Sequence, residues 1–157
     1  MQLTNFTEGD YPTLINWICS EELNYLWGGP LYRYPITCQQ IAQHCGKDGV
    51  YPYLLTVKGE AAGYIELCRE SERQYRVCRV FIADRYKGRG YAKQMLQLLV
   101  ELARDKFGAQ TLTLGVFEHN VVALNLYRAL GFQCMTQKQC RLPNNDIWPL
   151  LRMEKRL

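Results

Sequence analysis

Several landmarks are missing from this chain, and each absence removes a class of function. The 157 residues contain neither G-x-x-x-x-G-K-S/T nor G-x-G-x-x-G, which excludes a Walker-type triphosphate loop and a Rossmann dinucleotide fingerprint. Histidine is scarce: only His44 and His119 occur, and none of the seven cysteines (Cys19, Cys38, Cys45, Cys68, Cys78, Cys134, Cys140) stands in a C-x-x-C pair. A metal site therefore has no ligand spacing to rest on, and none is expected. The odd cysteine count argues against a disulfide framework. Cys68 and Cys78 fall in strand-like runs, where a free thiol acts as a small apolar side chain. All seven read as reduced thiols of a cytoplasmic protein. The pair His44-Cys45 reads as surface chemistry rather than a catalytic dyad.

Long apolar runs are also lacking, so no membrane-spanning helix is expected. No basic segment followed by an apolar stretch opens the chain, so no secretory signal is expected either. There is no linker, repeat or low-complexity stretch, and residues 1–157 are expected to form one domain. The net charge of +4 comes without a Lys/Arg tract. A nucleic-acid partner would want a broader basic face with stacking aromatics, so none is expected.

What is present is concentrated at Lys87-Gly88-Arg89-Gly90-Tyr91-Ala92. This segment joins a β-like run, Tyr75 to Ile82, to an amphipathic helical pattern, Ala92 to Phe107. Glycines at such a junction let the backbone turn tightly and approach a ligand. The helix that begins there presents unpaired N–H groups and the positive end of its dipole. Lys87 and Arg89 add cationic charge. The combination is an anion cradle suited to a pyrophosphate.

Downstream, Leu112-Thr113-Leu114-Gly115-Val116 alternates like a strand. Asn120 is placed to cap a helix over Val121 to Leu130, which Gly131 stops before Phe132 reopens a strand. Ala123, Leu126, Tyr127 and Leu130 share one face of that helix. Upstream, Leu3 to Phe6 reads as a strand. Asp10 or Thr13 starts a helix to about Ser20, with Glu21 to Leu26 read as its extension, and Thr37 caps another to about Cys45. The segment Trp27 to Pro35 excludes regular helix or central strand. Strands are expected at Tyr53 to Val57 and Ala62 to Leu67 around a Lys58-Gly59-Glu60 turn, and again near Phe132 to Leu142 and Trp148 to Glu154.

Two of these segments carry a family resemblance. Lys87, Gly90 and Ala92 fit a pyrophosphate loop of the form Q/R-x-x-G-x-G/A, with Lys in the first place. Leu114, Val116, Asn120, Ala123, Leu126, Tyr127, Gly131 and Phe132 fit a later segment of the form L-x-V-x-x-x-N-x-x-A-x-x-L-Y-x-x-x-G-F. On these the chain resembles the GNAT superfamily of acyl-CoA-dependent N-acyltransferases, firmly over Tyr53 to Phe132 and loosely elsewhere. The resemblance implies an α+β fold: a mostly antiparallel twisted sheet of about six or seven strands, splayed at the cofactor site and flanked by about four helices. It implies acetyl-CoA as cofactor and a small-molecule or peptidyl amine as acceptor. It leaves the oligomeric state open, a homodimer included.

It also implies residue roles. Val80, Phe81 and Ile82 would offer backbone groups to the pantetheine arm as an added strand does. Backbone N–H groups from Gly88 to Ala92 would take the pyrophosphate, so the side chains of Lys87, Arg89 and Tyr91 can vary. Tyr127 is the candidate general acid for the departing thiolate, against simple packing of its ring. Asn120 either caps its helix or also reaches the cofactor arm. The candidate bases are Glu66, in step with Tyr64 and Cys68 on its strand, and Glu118 or His119 after the later strand. Some relatives that modify protein N-termini carry a carboxylate where this chain has Gly115, which argues against a ribosomal-protein substrate. Trp27, Tyr32 and Tyr34, together with Tyr25, fall where the family builds its acceptor wall; they either host a cationic amine by cation–π attraction or cover the core. Two functions follow: an acetyl-CoA-dependent N-acetyltransferase, or a coenzyme A-binding regulatory or interaction module without turnover.

Overall fold

The computed structural model describes Met1–Leu157. The chain runs β1 (Gln2–Asn5), α1 (Tyr11–Trp17), α2 (Glu21–Gly28), α3 (Cys38–Cys45), β2 (Val50–Val57), β3 (Glu60–Arg69), β4 (Gln74–Ile82), α4 (Tyr91–Phe107), β5 (Thr111–Phe117), α5 (Val121–Ala129), β6 (Gln133–Arg141) and β7 (Ile147–Arg156). The strands form one seven-stranded sheet in the order β1-β2-β3-β4-β5-β7-β6. Every pairing is antiparallel except β4 with β5. This is the expected mixed architecture, with five α-helices rather than about four.

The additional helix has a local cause. The Ser20 hydroxyl accepts from the Leu23 N–H at 3.1 Å, and Glu21 and Glu22 sit in the first turn, where the helix dipole favours them. Glu21–Gly28 is therefore a separate helix, not an extension of the one before it. It continues through Trp27 and Gly28, so the irregular segment starts at Gly29 and not at Trp27.

Strand alternation places the core on both sides of the sheet. Leu55, Ile65 and Leu67 face one way and meet Met95, Leu96, Leu99 and Ala103, which recur at helical spacing along α4. Their neighbours Leu54 and Tyr64 face the other way, toward Leu14, Ile18 and Ile41 of the α1–α3 layer. The β2–β3 hairpin turns on Lys58 (φ 51°) and Gly59 (φ 79°), both left-handed as a two-residue type I′ turn requires. No helix is long and apolar enough to cross a membrane.

Candidate active site

The glycine-rich junction lies between β4 and α4. Gly88 (φ 74°) and Gly90 (φ 80°) are both left-handed, a conformation that strains any residue with a Cβ. No protein atom lies within 4 Å of where a Cβ would project at either one, so conformation, not crowding, demands glycine here. The N–H groups from Gly88 to Ala92 make no hydrogen bond within the protein; the first bond of the helix runs from the Gln94 N–H to the Gly90 carbonyl. Buried Tyr86 anchors the junction, meeting the Tyr91 ring edge-on at 5.6 Å. Lys87 is paired with Asp84 at 2.7 Å, while Arg89 is exposed and makes no ion pair.

Next to this cradle the sheet opens. β4 and β5 pair only from Gln74↔Thr111 to Arg76↔Thr113, and past Arg76 the two strands part. On its other edge β4 stays joined to β3, with an irregularity: Tyr64 pairs with Phe81 but Glu66 pairs with Cys78, so β4 carries one extra residue. Arg79 lies in that bulge at φ 53°. Its carbonyl accepts from the Trp27 indole N–H at 2.9 Å, which ties the end of α2 to the bulge.

A cleft of about 640 Å³ occupies the opening. Its walls come from Trp27 to Pro30, from Arg76 to Val80, from Leu114 to Phe117, and from Asn120, Ala123 and Tyr127 of α5. Lys138 and Cys140 of β6 and Leu150 of β7 close it. Tyr127 is 8% exposed, its ring edge-on to Phe132, and its hydroxyl makes no hydrogen bond within the protein. Desolvation raises the phenol to about 12, so it keeps its proton at neutral pH. The Asn120 side chain accepts from the Ala123 N–H at 3.3 Å, capping α5, and the residue also lines the cleft.

Not every expected site residue belongs here. Glu66 is no free base. It is fully buried, and its carboxylate accepts from Arg79 Nε at 2.7 Å, His44 Nε2 at 3.0 Å and the Tyr64 hydroxyl at 2.6 Å. Burial alone would push its pKa up; the His44 hydrogen bond, the Arg79 guanidinium and the Tyr64 hydroxyl outweigh burial and hold it below the usual value. A carboxylate so engaged is a poor proton acceptor. His44 is correspondingly not surface chemistry: it is buried and bound to Glu66. Tyr32 is 4% exposed and packs in the α1–α3 layer, and the Tyr34 hydroxyl donates to the Cys19 carbonyl. Neither lines the cleft, nor does exposed Glu118. Of the expected acceptor residues, Trp27 and Tyr25 do. The residues missed are Arg76, Cys78, Lys138 and Cys140. Arg76 and Cys78 were detectable in principle, since alternation along β4 turns both to one face. Lys138 and Cys140 arrive through the β6–β7 hairpin, which no local pattern near the motifs announces.

Known proteins resemble this chain in sequence and in fold. The family model described as Acetyltransferase (GNAT) family matches residues 12–132. The spermine/spermidine N(1)-acetyltransferase of Bacillus subtilis (strain 168) is 38% identical over 55 residues, 35% of this chain and 36% of that protein. The thialysine N-epsilon-acetyltransferase of Bos taurus is 33% identical over 60 residues, 38% of this chain and 35% of that protein. The chain thus spans about a third of the length of these curated relatives. Among solved structures, spermidine N-acetyltransferase from Vibrio cholerae in complex with CoA and spermine superposes with a TM-score of 0.85 at 16% identity, covering 99% of this chain and 94% of that one. The ribosomal-protein-alanine N-acetyltransferase from Brucella melitensis gives 0.78 at 20% identity, covering 100% of each. At such identities the superpositions establish the fold.

Proposed function

This chain belongs to the acetyltransferase (GNAT) family, and from that premise we propose that it transfers an acetyl group from acetyl-CoA to a primary amine by direct attack in a ternary complex. The observation that carries the reading is the joining of two sites. A row of unpartnered N–H groups from Gly88 to Ala92 follows the end of β4, whose edge has parted from β5, and a buried phenol without a partner lines the cleft in that opening. The first suits a pyrophosphate and the second suits a departing sulfur.

Acetyl-CoA would supply the activated thioester. The free N–H groups at the start of α4 would hold its diphosphate, and the edge of β4 that has parted from β5, along Val80 to Ile82, would hydrogen-bond its amide-bearing arm. Asn120 stands beside that path. Tyr127, which lines the cleft, would offer its O–H where the carbon–sulfur bond breaks. An alkyl thiol has a pKa of about 8.5, and the phenol is raised to about 12. Complete proton transfer from Tyr127 to sulfur is therefore uphill. Its best contribution is a hydrogen bond that strengthens as negative charge develops on sulfur, the phenol keeping its own proton while the thiolate is released to solvent. No carboxylate lines the cleft, so the amine must arrive neutral and lose its proton to water.

The test is calorimetric titration with acetyl-CoA, followed by thiol release over a panel of primary amines. Binding together with amine-dependent thiol release is expected. Binding without release from any amine would favour the non-catalytic coenzyme A-binding module.

A further inference from the structure

The cleft is charged with one sign. Arg76, Arg79 and Lys138 line it, and no aspartate or glutamate does. Arg79 is accounted for by Glu66. Arg76 is not: half-buried on β4, it makes no ion pair and no side-chain hydrogen bond within the protein. Its guanidinium lies over β5, where a Cβ on Gly115 would meet Arg76 Nη2 at 2.8 Å. Gly115 is thus what leaves room for that group beside the opening. A half-buried guanidinium directs five N–H donors in a planar fork, a geometry matched by carboxylate and phosphate. Lys138 of β6 is exposed at the same cleft and also has no carboxylate partner. The aromatic alternative for a cationic ligand is weak here. The Trp27 ring is stacked on Tyr32 with centroids 6.0 Å apart, and its N–H is spent on the Arg79 carbonyl.

We propose that the acceptor amine carries an anionic group, a carboxylate or a phosphate, which Arg76 receives with help from Lys138. The proposal rests on the acetyl-transfer reading above. It sets this chain apart from proteins named for spermidine or spermine, whose acceptors carry only positive charge. A polyamine in this cleft would place ammonium groups among unneutralised cations with no carboxylate to pair them. An amine with an anionic end would satisfy the free guanidinium and leave its nitrogen to reach the thioester near Tyr127.

The test measures kcat/KM for thiol release with γ-aminobutyrate, O-phosphoethanolamine, putrescine, spermidine and n-butylamine, on the intact chain and on Arg76→Gln and Arg76→Lys. One of the anionic amines should exceed putrescine and spermidine by about tenfold or more, as one hydrogen bond to a charged group allows. Which one leads separates carboxylate from phosphate. Arg76→Gln should raise the KM for that amine by about ten- to a hundredfold on the same grounds, with the acetyl-CoA KM within about twofold, and Arg76→Lys should restore part of the loss. Putrescine or spermidine matching the anionic amines would overturn the proposal. So would an Arg76→Gln variant that raises the acetyl-CoA KM equally. If no amine releases thiol, the acetyl-transfer reading fails. The charge preference is then decided by titrating γ-aminobutyrate, O-phosphoethanolamine and putrescine into coenzyme A-saturated protein. Arg76-dependent binding of an anionic amine alone sustains the preference, and equal or absent binding of all three overturns it.

Discussion

Tyr127 and Glu66 are both buried and ionisable, and their surroundings give them opposite tasks. Burial without a counter-charge lifts Tyr127 to about 12 and keeps it a donor. Tyr127→Phe removes only that donor. We expect kcat to fall by about 10²–10³-fold with acetyl-CoA affinity within about twofold, measured by single-turnover thiol release and calorimetry. Glu66 instead holds the bulge of β4 and the end of α3 together through Arg79 and His44. Glu66→Gln leaves Arg79 buried with an uncompensated charge and should cost about 3–5 kcal/mol in urea unfolding. The pH dependence has a definite sign. The folded-state pKa of Glu66 is depressed, so its stabilisation is complete above the ordinary value of 4.5 and is lost as pH falls below it. The variant should lack that acid-side loss. A Glu66→Gln protein of unchanged stability and reduced kcat would return Glu66 to the role of base. Tyr127 was legible in the sequence because its partners lie three or four residues away on one helix. The fate of Glu66 was not, because His44 and Arg79 lie 22 and 13 residues away and meet it only once α3 packs and β4 bulges.

At the scale of elements, the strand–glycine–helix junction acts as a unit. Gly90 carries no side-chain contact, yet its left-handed backbone aims the free N–H groups of α4 outward. Gly90→Ala should weaken acetyl-CoA binding several-fold through a strain of about 1 kcal/mol, and Gly90→Asp far more, since a carboxylate repels phosphate. Calorimetric dissociation constants equal to the unaltered protein's would remove the cradle from the site. The end of α2 is a second unit: Trp27→Phe strips the Arg79 carbonyl of its donor while keeping an aromatic ring. The acceptor KM should then rise more than the acetyl-CoA KM in steady-state kinetics. Much at this scale was readable. Gly88, Gly90, Asn120, Gly131 and the Thr37 cap mark their boundaries by local chemistry, and the Thr37 hydroxyl does accept from the Gln40 N–H at 3.2 Å. The Tyr32 and Tyr34 placements were not. Both lie in a loop that folds back on the α1–α3 layer, and its composition suits core cover as well as a wall.

Over the whole molecule, one topological event creates the site: parallel β4 and β5 stay paired for three residues each and then part. The cofactor edge, the cationic cleft and Tyr127 all follow from that opening. The family resemblance led to the splay; one of the cleft's three cations, Lys138, comes from β6, which returns with β7 from late in the chain to complete the cleft. With no carboxylate in the cleft, kcat/KM should rise with pH along the acceptor amine's own ionisation and stay level until Tyr127 ionises near pH 12. A rise governed by a fixed pKa near 6 to 7, the same for amines of different basicity, would reveal a protein base. The most direct test follows acetyl-CoA, free thiol and N-acetylated amine together by mass spectrometry in one reaction. Acetyl transfer predicts one thiol and one acetylated amine for each acetyl-CoA consumed, with consumption dependent on the amine and abolished by Gly90→Asp. Acetyl-CoA that stays intact with every amine, or yields thiol without acetylated amine, would contradict it.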